Sequence, residues 1–472
     1  MRPRNEGRPT IHGTRFRLFP AYAEGYVEPE TVELSLPPGS IGPGPSDPWM
    51  YTRNAISKDQ PYDPPSYKPP YLGAIHPPAM PGRDGHFDEI PVETEQFLAA
   101  HTYGTIRHTL DIWEHYLHRR IVWWHAAANP QLELIPIVHW QNAHSGPGFI
   151  EMGRQPNRFG RLQPFCLIFD VLAHETGHAI LFSQIGVPPP DQIDEAFLAF
   201  HESFADLIAL IGTLHFRSVR ERLLQQTAGN LYLLNLVTRI GQYSDDQQIR
   251  IASNLATMGD VVGLHMAPDG SWIDPKGLNR NQHAIAEPLT GAIFDILVEI
   301  YQDELVSRGL IHPDLDARGW TRMEVERAMN VIHAETGRAY ARFAHGFYTA
   351  LTVARHIVAH CMAHVIMTIR PETLTFPRVA ARFLEAAAAL GEARNLPALV
   401  DHFLWREIDP RPFLRIEIPS GPAPVSRRKR GRPRMTEAPN LTVGCNCGNI
   451  AGFLLAFRLM PHPHRADSAN LM

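Results

Sequence analysis

Between Phe165 and Asp206 the chain writes two apolar segments separated by Pro188, Pro189 and Pro190. Three prolines in a row cannot continue a helix, so the segments are expected to be two helices joined by a short connection. The first carries His174, Glu175, Thr176, Gly177 and His178 within an apolar run that reaches Ile185, and Gly186 is the expected stop. Histidines four apart share one helical face, one turn from each other. That spacing lets both imidazoles reach a single tetrahedral zinc ion, with Glu175 beside the first and within reach of a water on the metal. The second segment carries Glu202 and Asp206, also four apart. Glu202 can supply a third ligand and leave a fourth position for water, while Asp206 can orient a zinc-bound histidine. The bland alternative is a core helix with two hydrogen-bonded histidines and a surface pair of carboxylates.

HExxH followed by ExxxD in a second helix resembles the gluzincin metallopeptidases, most closely the thermolysin-like group. The resemblance implies His174, His178 and Glu202 as zinc ligands, Glu175 as general base and Asp206 as the carboxylate bonded to His174. Asn142, Ala143 and His144, then 148–153, are similar to the family's edge-strand segment. This makes Asn142 and Ala143 the substrate-pairing candidates. Residues 100–113 are similar to the long helix of the N-terminal lobe, and His283, before 291–294, matches the histidine that stabilises the oxyanion. The likeness spans about residues 95–300. It implies an α+β, two-lobe fold: strands in the N-terminal lobe, a mostly helical C-terminal lobe, and the zinc helix between them.

The sequence also departs from the family pattern. His201 stands where asparagine is usual, which makes it the candidate second-shell partner of His178. The tyrosine position falls in Pro188–Pro190. Asp170 matches a calcium ligand, but a partner carboxylate is replaced by Thr213, which argues against a calcium site of the family type. No aspartate matches the one preceding the oxyanion histidine, and no arginine matches the family's substrate clamp.

The remaining chain divides by composition. Residues 1–92 form a Pro-rich N-terminal arm, 93–200 a catalytic lobe with the HExxH helix, 201–415 a helical lobe with the third ligand, 416–440 a basic linker and 441–472 a tail. Residues 14–36 alternate enough for a hairpin. Prolines throughout 37–92 exclude helices and central strands, so that stretch is expected to lie extended on the folded body with its aromatic residues buried. A helix is expected over 92–127, a strand over 132–140 and a second over 148–153. Residues 207–266 are expected to be mostly helical, 267–282 to form a loop ending at His283, and 289–301 and much of 321–406 to be helical. His356, His360 and His364 form a stripe at four-residue spacing, expected to be a polar or packed face rather than a metal site.

A net charge of −5 argues against general nucleic-acid binding. The basic cluster 427–434 contains an Arg-Gly-Arg-Pro core similar to that of an AT-hook, but a single copy reads first as a solvated linker. Four cysteines do not make a disulfide framework. No uninterrupted apolar run approaches the roughly 18 residues of a membrane span. The N-terminus lacks the apolar stretch of a signal peptide, which together with the initial Met favours a cytoplasmic protein.

The expectation is therefore a zinc metalloendopeptidase acting on protein or peptide substrates. Two alternatives remain: an inactive zinc-binding scaffold, or a DNA-associated protein acting through 427–434.

Overall fold

A computed structural model describes residues 13–21, 28–156, 160–233, 235–241, 250–315 and 322–419. The basic cluster 427–434, Cys445, Cys447 and the apolar stretch 450–460 lie outside the described residues.

The hairpin expected over 14–36 is present: β1 (Thr14–Leu18) pairs antiparallel with β2 (Glu30–Leu34). The Pro-rich stretch goes further than wrapping the surface. Its β3 (Met50–Thr52) pairs parallel with β4 (Leu132–Ile135) and supplies one edge of a four-stranded sheet. The sheet order is β3-β4-β6-β5, with β5 (Ala143–Gly146) and β6 (Phe149–Met152) forming an antiparallel hairpin. The strand expected over 132–140 is thus only four residues long. The 148–153 segment is an inner strand, and β5 before it is the edge.

Side-chain alternation gives this sheet two buried faces. Leu132, Leu134, Ile150 and Met152 face the main core, while Ile135 and Phe149 meet Ala55, Tyr62 and Tyr71 of the arm. Glu133 and Glu151 alternate with the main-core residues and are both fully buried. Buried carboxylates need partners, and the arm provides most of them. Glu133 accepts from the hydroxyls of Tyr51 (2.7 Å) and Tyr62 and from Tyr71 N–H. Glu151 accepts from Tyr62 N–H (2.6 Å), pairs with Lys58 Nζ (2.8 Å) and bonds His144 Nε2 (2.7 Å). Lys58 is only 2% exposed, and its ammonium lies 3.7 Å from the Tyr62 ring centroid. The arm is therefore part of the core.

Helix α1 (Glu95–Leu117) starts at Thr94, whose side chain accepts from Phe97 N–H. It stops ten residues before the expected end because His118 turns left-handed (φ 53°, ψ 28°) and closes the last carbonyls. Short strands β7 (Arg154–Pro156) and β8 (Leu162–Pro164) lead to α2 (Phe169–Ile185). That helix ends at Gly186 (φ 95°), a conformation strained for any other residue. Helix α3 (Glu195–Thr213) begins at Asp194, whose carboxylate accepts from Phe197 N–H. The lobe boundary expected at 200/201 thus falls inside α3.

The helical expectation for 207–266 holds only as far as α4 (Arg217–Thr227). Ala228 then turns left-handed (φ 48°) and ends it. Two two-residue strands follow, β9 (Arg239–Ile240) and β10 (Arg250–Ile251). Helix α5 (Gln282–Ser307) starts seven residues before the apolar run, capped by Asn281. The helical region 321–406 is α6 (Arg322–Thr368), kinked at Phe343, with α7 (Phe376–Ala389) and α8 (Leu396–Trp405). The fold class is α+β.

Two helices are long and apolar enough to cross a membrane by length and composition, Glu195–Thr213 and Arg327–Thr368. Their apolarity is spread across runs interrupted by polar residues. The most apolar stretch of the first is 94% buried within the protein.

Candidate metal centre

Two small residues allow the site to form. A Cβ placed on Gly177 would lie 2.9 Å from Ala205 Cα, closer than packed carbons come. Gly177 and Ala205 therefore let the backbones of α2 and α3 approach, and α2 carries His174 and His178 up to Glu202 on α3. The sequence contained this signal, in the glycine inside the motif and the alanine one turn from Glu202, but spacing alone does not show that the two meet.

His174 Nε2 and His178 Nε2 stand 3.1 Å apart. Glu202 Oε2 is 3.5 Å from the first and 3.8 Å from the second. All three residues are buried, and among the described residues theirs is the one group of three or more His, Cys, Asp or Glu residues whose ligand atoms lie within 4.8 Å of one another. Such a group could hold a metal ion. Asp206 Oδ1 lies 2.8 Å from His174 Nδ1, so a proton on Nδ1 leaves the Nε2 lone pair facing the group. Glu175, fully buried, follows His174 on α2.

The buried charges of the site act on one another. Burial acts against the Glu202 carboxylate, yet His283, His178 and His174 outweigh it and hold the carboxyl well below its ordinary range. Burial likewise opposes ionisation of Asp206, but Arg250 and His174 bring it down to about 2. For His174, burial disfavours the imidazolium, and Asp206 and Glu202 reverse this and raise it well above an ordinary histidine. Burial keeps His178 well below. The Glu202 and Asp206 carboxylates are thus matched by the His174 imidazolium and the Arg250 guanidinium, and a metal ion bound there would take the place of the proton on His174 Nε2.

Arg250 is the residue that sequence reasoning missed. Its Nε and Nη2 bond both oxygens of Asp206 at 2.8 and 2.5 Å, Nη2 lies 3.3 Å from His174 Nδ1, and Nη1 lies 3.4 Å from His283 Nδ1. It lies in the stretch expected to be helical, where no motif marks it. His283, on the first turn of α5, reaches the same place: its Nδ1 is 2.9 Å from Glu202 Oε2.

Other candidates behave differently. His201 does not bond His178. The two rings lie parallel (10°) with centroids 5.9 Å apart, while Phe182 and Phe197 hold the His201 ring at 4.2 and 4.6 Å. Among the described residues neither nitrogen of His201 has a hydrogen-bond partner, nor does His178 Nδ1. A ring enclosed by phenylalanines presents its face to His178, and burial holds its pKa at about 3. Asn142 uses its own Oδ1 to accept from Ala143 N–H (2.8 Å), and β5, which Ala143 begins, packs on α2. Asp170 accepts from Gly241 N–H (2.6 Å), and burial raises its carboxyl to about 6. A protonated or backbone-bonded carboxyl is a poor calcium ligand.

No protein-family model matches the chain, and no curated protein matches it.

Proposed function

We propose that this chain is a zinc-dependent metalloendopeptidase with a gluzincin-type centre in a thermolysin-like two-lobe arrangement. In this reading α2 closes the strand-bearing lobe and α3 opens the helical one. The observation that carries the reading is the buried His174–His178–Glu202 group. Four-coordinate zinc with bonds of about 2.0–2.1 Å has ligand atoms about 3.3 Å apart. The three separations, 3.1, 3.5 and 3.8 Å, bracket that value before any ion draws them together. The Asp206–His174 bond supplies the outer support such centres use.

Bound there, zinc supplies a Lewis acid that polarises a scissile carbonyl and acidifies a water. The residues of the chain do the rest. Glu175 takes the proton from the attacking water and returns it to the leaving amine. His283, on the first turn of α5 and beside Glu202, is in this reading the residue that donates to a developing oxyanion. Among the described strands β5 lies at the end of the sheet beside β6, and in this reading it is the strand along which an extended peptide would lie.

One observation favours the inactive-scaffold alternative. His283 Nδ1 sits 2.9 Å from Glu202 Oε2, where it competes for the third ligand.

The test compares wild type with Glu175→Gln for zinc content and cleavage of casein. Both proteins are expected to hold zinc, with cleavage reduced about 10²–10⁴-fold in the variant. Zinc in both with cleavage in neither favours the scaffold. Zinc in neither overturns the reading.

A further inference from the structure

Histidines gather a second time where the end of α1 meets α6. His115 and His118 come from α1 and its cap, and His356 and His360 from α6. The His115 and His118 ring centroids are 6.3 Å apart. His118 and His360 are 6.2 Å apart and nearly parallel, and Tyr116 packs edge-on against His360 at 4.9 Å.

His356 is already committed. His215 Nδ1 donates to Ile211 O (2.8 Å), so its Nε2 accepts from the Tyr116 hydroxyl (3.1 Å). That hydroxyl accepts in turn from His356 Nδ1 (2.9 Å), and His356 Nε2 accepts from Arg355 Nη2 (2.8 Å). Every nitrogen in this chain has its role fixed.

His115, His118 and His360 are different. Among the described residues none of their ring nitrogens makes a hydrogen bond, and no carboxylate pairs with them. His115 and His118 are exposed and His360 is half-buried. His118 also holds the left-handed backbone that ends α1, an uncommon conformation for a residue with a side chain, and its ring lies beside His360.

We propose that His115, His118 and His360 form a second divalent transition-metal site, open to solvent, that takes Zn²⁺ or Cu²⁺ and clamps the end of α1 to α6. Neutral imidazole is a ligand of choice for both ions, and three histidines leave a position for water. Burial first, then the neighbouring His118 and His115, hold His360 below an ordinary histidine, which favours the neutral ring with one nitrogen lone pair free to ligate. In the buried centre the His174 and His178 rings stand 4.7 Å apart. His118 must close on each of its two neighbours by about 1.5 Å to match that spacing, a movement of the size that side-chain rotation of the exposed His115 and His118 gives.

The test is equilibrium dialysis of the untagged full chain against Zn²⁺, in wild type and in His118→Ala/His360→Ala. Zinc content is expected to fall by one ion per chain in the variant, while cleavage of casein is unchanged. In a His174→Ala/His178→Ala background, one Cu²⁺ is expected to bind with nitrogen hyperfine structure in its paramagnetic resonance spectrum, and the further change His360→Ala to abolish that signal. The background removes the first centre, so failure of the peptidase reading leaves this result standing. The proposal is overturned if His118→Ala/His360→Ala holds as much zinc as wild type, or if the copper signal survives His360→Ala.

Discussion

Gly177→Ala tests how the candidate metal centre is assembled, without touching His174, His178 or Glu202. The new methyl would sit 2.9 Å from Ala205 Cα and 3.2 Å from Ala205 Cβ. Carbon atoms pack at about 3.5–4.0 Å. Backbone cannot rotate away, so α2 and α3 must part by about 0.6–1 Å. Two effects on stability oppose each other: overpacking costs about 1–3 kcal/mol, and replacing glycine inside a helix returns about 1 kcal/mol. The apoprotein is therefore expected to lose about 0–2 kcal/mol and remain folded. The effect on the site is larger, because Glu202 rides on α3 and already stands 3.5 and 3.8 Å from the two Nε2 atoms. Separating the helices moves it further from both. If zinc then binds through two good ligands and one stretched one, a loss of about 1.4–2.8 kcal/mol corresponds to 10- to 100-fold in affinity. Competition against a chromophoric chelator measures this, and urea unfolding of the apoprotein measures stability alongside. A variant that binds zinc as tightly as wild type, with normal stability, would refute the claim that close contact at Gly177 sets the ligand spacing.

Two further predictions concern the rest of the fold. Lys58→Met leaves Glu151 buried without its 2.8 Å ion pair and should cost about 3–5 kcal/mol in urea unfolding, with Lys58→Met/Glu151→Gln recovering a large part; equal stabilities for the two variants would count against the pairing. His101 is fully buried and neutral, its Nε2 accepting from Phe19 N–H (2.9 Å) and its Nδ1 donating to Cys166 O (2.7 Å), and burial lowers it to about 4. A depressed folded value means the unfolded chain binds the proton first, so this contribution is intact above about pH 6.5 and is lost progressively down to about pH 4, amounting to about 3 kcal/mol. His101→Gln should remove up to one proton from the slope of stability against pH in that window, and an unchanged slope would show that other groups carry it.

Local spacing made much of the site legible. A continuous apolar run with a terminal glycine marked α2. Four-residue spacing put His174 with His178, and Glu202 with Asp206, each on one face. Proline density marked 37–92 as extended, and alternation marked the hairpin of β1 and β2. These features depend on neighbours within one turn or one strand, and the sequence displays such neighbours directly.

What the tertiary structure alone decided rests on contacts between distant residues. Arg250 meets Asp206 forty-four positions away, by way of a short strand pair with no periodic signal. His201 turns its ring face to His178 because Phe197, four residues away on α3, and Phe182 on α2 enclose it. β5 rather than β6 is the sheet edge because β4 takes the other side of β6. Lys58 and the arm's tyrosines belong to the core because two glutamates on the inner strands must find partners once water is excluded. A sequence by itself determines which residues share a helical face or an extended strand. The partners of a buried charge, and the distance between two helices, are decided only when desolvation and packing act on the whole chain at once.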